Sequence, residues 1–174
     1  ENYTLKQNPG MPEPQKLQGL YYYYHTFARA LAASGKDHIQ TPDGTKHNWR
    51  EDLINELAAG QLEDGSWVNQ ADRWNEGAPS LVTCYVLLAL HETLEGVSAD
   101  SDLLSEQTRA KANAMIAKAN DFLLQAQSDD GAWLPQYGPA VTALAVKSLW
   151  RSGKSIDTPK MQKAIAFILS TQRK

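Results

Sequence analysis

The chain has 174 residues, of which 42% are apolar and 21% charged, and carries a formal net charge of −3. That size suits one domain or part of one. The acidic balance, with no run of Lys or Arg, excludes a nucleic-acid footprint. The lack of a long apolar run excludes a membrane-spanning helix, and a single cysteine, Cys84, excludes an intrachain disulfide.

Residues 1–17 hold Pro9-Gly10, Pro12 and Pro14 and read as an irregular lead-in that packs along the surface or joins an upstream segment. The chain opens on Glu1 rather than Met, the mark of a processed or cut product, which leaves a removed signal segment and the compartment open. Residues 18–34 read as a helix, because Leu20, Tyr23, Tyr24, Phe27 and Leu31 recur at spacings of three and four before Gly35. Residues 36–48 are a polar loop around Pro42-Asp43-Gly44. A second helix runs from about Trp49 to Ala59 with Leu53, Ile54 and Leu57 on its apolar face.

Residues 68–78 form a loop containing Trp74. Pro79, a favoured first helical residue, opens a third helix that is apolar nearly all round as far as Leu90 and ends by Gly96. Such a helix is buried on most sides. A fourth helix, about 105–126, is amphipathic through Met115, Ile116, Phe122 and Leu123. Pro139 opens a fifth helix that Gly153 ends, and Thr158-Pro159 caps a sixth.

One stretch occurs twice. Gln61-Leu62-Glu63-Asp64-Gly65-Ser66-Trp67 returns as Gln127-Ser128-Asp129-Asp130-Gly131-Ala132-Trp133, and a third copy begins at Gln172. Asp-Gly is a strong turn dipeptide, and a glycine after a helical run suits the helix C-terminus. The geometry predicts that each Gln bonds backbone across the turn and that each Trp is buried with its one donor paired. Thr83 lies 59 positions after Tyr24, and Thr142 lies 59 after Thr83. The pattern predicts three helical hairpins, about 18–67, 79–133 and 139–172, stacked side by side in a repeat domain over 18–174.

The two motif copies, with the helix openings Thr83–Leu90 and Thr142–Leu149, resemble the α/α-toroid superfamily of squalene–hopene cyclases, oxidosqualene cyclases and protein prenyltransferase β subunits. The resemblance implies an all-α fold in which outer helices wrap inner ones and the Gln…Gly-x-Trp turn (the QW motif) joins outer to inner. It covers about residues 18–172, and Asn8 to Trp67 further resembles uncharacterised bacterial proteins of that superfamily. A full toroid needs more hairpins than three. The chain therefore reads as an incomplete toroid, the C-terminal part of a longer protein that lacks upstream hairpins or self-associates to cover its apolar ends.

Catalytic residues are not assigned by this resemblance, and whether the chain is an enzyme stays open. The cyclases of the superfamily use an Asp cluster as acid. Here Asp100-Ser101-Asp102-Leu103 lacks the closing carboxylates and reads as a solvated loop and helix cap, while Asp129-Asp130 belongs to the repeated turn. The prenyltransferases hold zinc through Asp, Cys and His. Their ligand His falls on Val82 here, and His25 is two residues out of phase. The expectation is no cofactor. Zinc is the alternative, and it would fall on His25 and Cys84, which share the 59-residue phase. His38, His47 and His91 show no ligand spacing. No phosphate loop occurs.

Tyr23, Tyr24, Phe27, Trp74 and Tyr85 are candidates to line an aromatic cavity of the kind that stabilises a carbocation, with ordinary core packing as the alternative. The resemblance thus implies part of a terpenoid-cyclase-like or prenyltransferase-like protein that binds an apolar isoprenoid. The alternative is a non-catalytic repeat module that binds a protein or a polysaccharide.

Overall fold

Capping residues set most of the helix starts. Pro79 opens α3 (Pro79–Leu94) and Pro139 opens α5 (Pro139–Arg151), at a position where the missing N–H costs nothing. Asn48 caps α2 (Trp49–Gly60), Ser105 caps α4 (Glu106–Ala126) and Thr158 caps α6 (Pro159–Ser170), each accepting a backbone N–H three residues on. The first helix, α1 (Leu20–Ser34), differs. Its N-cap is Gly19, left-handed at φ 66°, and no adjacent side chain caps it.

These six helices dominate the computed structural model, which describes residues 3–98 and 101–171, and the fold is all-α. The loop at 36–48 contains one feature the sequence pattern does not show. Ile39–Gln40 (β1) pairs antiparallel with Lys46–His47 (β2) across the Pro42-Asp43-Gly44 turn. Two residues per strand are too few to display a period of two.

The helices form two rows. In one, α3 lies between α1 and α5. In the other, α2 packs on α4, and both also pack on α3. The sixth helix packs on α5. Because neighbours surround α3, nearly its whole length is buried, from Ser80 through Leu90 except Tyr85. The lead-in packs along the surface. Leu5 is buried, and the carbonyls of Thr4 and Leu5 accept the hydroxyls of Tyr23 and Tyr24.

The repeated stretch forms the same joint twice. Gln61 Nε2 donates to the Gly65 carbonyl at 3.0 Å and to Met115 of α4 at 3.1 Å. Gln127 Nε2 donates to the Gly131 carbonyl at 2.9 Å and to Lys160 of α6 at 2.8 Å. The expected bond across the turn therefore forms, and a second one reaches the next hairpin. Trp67 Nε1 donates to Leu57 and Trp133 Nε1 to Leu123, both at 2.8 Å. Those carbonyls lie in the last turns of α2 and α4, where no intrahelical N–H is available. The indole thus performs the C-capping expected of the glycine. Gly65 and Gly131 stand beyond the helix ends, and their φ of 90° and 91° serves a separate tight turn. Each turn is completed by the hydroxyl of Thr83 or Thr142, which accepts the Trp backbone N–H.

The α5–α6 end is left uncovered. Trp150 is 60% exposed and Leu169 57%, with Ile156 and Tyr137 also exposed. Among the described residues no helix is long and apolar enough to cross a membrane. Asp100 and Gln172, singled out above, lie outside the described residues.

Candidate functional site

The loop between α2 and α3 builds a site at the uncapped start of α1. Asp72 accepts the Gly77 N–H at 2.6 Å, and the Asn69 N–H donates to the Glu76 carbonyl at 2.9 Å, so the loop is folded back on itself. Trp74 and Asn75 both take left-handed backbone angles, φ 58° and 65°. Consecutive non-glycine residues in that region carry strain that surrounding structure must hold. The result aims Glu76 inward. Its Oε1 accepts the Tyr22 N–H at 2.8 Å, and its Oε2 accepts Asn69 Nδ2 at 2.6 Å. A carboxylate 54 residues away therefore caps α1 in place of the missing side-chain cap.

The same loop lays Trp74 against α1. A Cβ at Gly19 would lie 3.0 Å from Trp74 Cζ3, so the ring rests on the glycine. Arg73 covers the Trp74 ring at 4.8 Å. A cleft of about 380 Å³ opens here, walled by Tyr22, Trp74 and Tyr85 with Asn8, Gly19 and Glu76. Tyr22 and Tyr85 meet edge to face at 5.6 Å. Tyr22 is 55% exposed and Trp74 54%.

Of the five predicted aromatic residues, Trp74 and Tyr85 reach this cleft. Tyr23, Tyr24 and Phe27 do not. Successive helical residues point about 100° apart, and the lead-in captures Tyr23 and Tyr24 through backbone carbonyls on another side of α1. Phe27 packs edge-on against Trp49. The tyrosine that faces the cleft is Tyr22. Nothing in the spacing singles it out, because the four consecutive tyrosines offer a ring to every direction. Glu76 likewise leaves no motif; the absence of a capping side chain before Leu20 is the one hint that a carboxylate arrives from elsewhere.

Cys84 is fully buried in α3, burial pushes its thiol up to about 12, and Ser148 donates to its carbonyl at 3.3 Å. The His25 ring stacks on Tyr85 at 6.1 Å. Burial, then the charges of Lys147 and Arg29, lowers its pKa, and its Nδ1 is buried with no hydrogen-bond partner. No group of three or more His, Cys, Asp or Glu gathers at ligating distance among the described residues. Asp130 accepts the Ala132 N–H and the Ser128 hydroxyl inside its turn, as Asp64 does for Ser66.

Chemically the cleft offers ring faces, apolar walls and one carboxylate. Asn8 is already engaged, since its Nδ2 donates to the Gln18 carbonyl and its Oδ1 accepts the Gly10 N–H. Comparison of the chain with protein-family models, with curated proteins and with solved structures finds no match.

Proposed function

We propose that the chain is part of a terpenoid-cyclase-like or prenyltransferase-like toroid protein and that it binds an apolar small molecule of isoprenoid character in the cleft of Tyr22, Trp74 and Tyr85. The observation that carries this reading is the cleft itself: about 380 Å³, apolar, and walled by exposed rings. The repeated joint and the two-row packing add support, since both suit the superfamily that the motifs resemble. On this reading the role is binding, since the carboxylate at the cleft caps a helix and no group of three or more His, Cys, Asp or Glu gathers among the described residues.

Titration with geraniol and farnesol, followed by tryptophan emission, tests this. Saturable quenching that disappears in Trp74→Ala is the expected result. Quenching that persists unchanged in that variant places the ligand elsewhere and overturns the reading.

A second reading, a scaffold that binds another protein or a second copy, is favoured by the exposed Trp150 and Leu169. Light scattering on wild type and Trp150→Glu tests it. Association lost in the variant supports it, and a concentration-independent monomer refutes self-association.

A further inference from the structure

The cleft holds one charge that a neutral apolar ligand does not need. Glu76 is 1% exposed. A buried carboxylate is costly unless a cation or a full set of donors answers it. Its two oxygens receive one neutral N–H each, from Tyr22 and Asn69. The N-terminus of α1 adds about half an elementary charge. No lysine, arginine or histidine forms an ion pair with Glu76 among the described residues. Arg73, three positions away, is stacked on Trp74 instead.

Around this carboxylate stand three rings. Their faces carry negative quadrupole density, which attracts cations that shed water readily. Tyr22 and Tyr85, at 5.6 Å and 70°, make a corner, and Trp74 makes a third wall. A primary ammonium carries three donors that must each find an acceptor, and ring faces offer none. A quaternary ammonium needs none, since its methyl groups meet rings and its charge meets the carboxylate.

We propose that the cleft selects a ligand with a quaternary ammonium head, seated in the corner of Tyr22 and Tyr85 with Trp74 as a side wall, against the charge of Glu76. This inference rests on the cleft being a ligand site, as proposed above.

The test compares geraniol with geranyltrimethylammonium by isothermal titration calorimetry at low salt. The ammonium is expected to bind at least about tenfold tighter, the ratio that the ring contacts and the Glu76 charge supply together. Tyr85→Leu, which removes a ring and keeps apolar bulk, is expected to weaken the ammonium at least about fivefold more than it weakens geraniol. Glu76→Gln is expected to reduce the preference to under about threefold, because it deletes the charge and keeps a carbonyl for the Tyr22 N–H. Should that variant not fold, Tyr85→Leu still decides. Equal affinity of the two ligands in wild type overturns the ammonium proposal and leaves the binding reading standing. Binding of neither overturns the binding reading itself.

Discussion

Substituting Gly65 by Ala separates two costs that usually arrive together. An added Cβ there would lie 2.5 Å from the Lys118 carbonyl oxygen of α4 and would also require φ of +90°. The conformational part costs about 1–2 kcal/mol. The steric part is larger. Relief needs the turn to retreat from α4 by roughly 1 Å, to ordinary contact distance. That retreat breaks the Gln61 bond to Met115, worth about 1 kcal/mol, and opens a gap under Trp67. A total of about 3–4 kcal/mol follows. Gly96 supplies the control. Its φ is +72°, and an added Cβ there meets nothing within 4 Å, so Gly96→Ala should cost only the conformational part, about 1 kcal/mol. Urea unfolding followed by helical ellipticity measures both. Gly131→Ala, facing Lys163 of α6 at 2.6 Å, should match Gly65→Ala. Equal losses for Gly65→Ala and Gly96→Ala would refute the claim that the turn is glycine because a helix backbone touches it.

Three further outcomes are expected. Trp67→Phe should cost about 3 kcal/mol, because the Leu57 carbonyl loses its donor in a buried site and the ring shrinks; Trp74→Phe, on the exposed ring, should cost under about 0.5 kcal/mol in the same assay. Arg50→Met should cost about 3 kcal/mol, since Arg50 donates to the carbonyls of Glu92, Thr93 and Glu95 at the end of α3, whereas exposed Arg29→Met should be near neutral in thermal melts. His91 is depressed from 6.5 to about 4 by burial and then by Arg151. Its unfolded form therefore binds the proton first, and stability present above pH 6.5 is lost as pH falls toward 4. The full shift corresponds to about 3 kcal/mol, and partial exposure reduces that to about 2. Subtracting the pH profile of His91→Gln from that of wild type should isolate this slope, and superimposable profiles would contradict it.

Much of the framework was legible because it rests on local chemistry. Pro79, Pro139 and Thr158-Pro159 mark helix starts by rules that need no tertiary context. The paired Gln-to-Trp stretches announced a joint, and Gln61 and Gln127 bond across their turns as geometry suggests. The role of the motif glycine was misplaced by locality itself. A glycine near a helix end invites a capping interpretation, yet Trp67 and Trp133 cap from ten residues further on. The cleft was half legible. Trp74 and Tyr85 stood out as aromatic residues, but Tyr22 gains its position only when Thr4 and Leu5 claim its neighbours. Glu76 reaches α1 through a strained loop, and neither partner carries a pattern that points to the other.

The joint also has a direction. Gln61 grips a carbonyl 54 residues ahead and Gln127 one 33 residues ahead, and neither reaches back to an earlier helix. During synthesis each turn thus leaves the ribosome before the helix it must hold. At about 5–20 residues per second the first turn waits roughly 3–11 s for α4. Through that interval Trp67 can already seal its own helix on Leu57, only ten positions behind, while Gln61 Nε2 waits for its forward partner. The first two hairpins are each born with one bond made and one bond promised, so the array closes from the N-terminal end forward.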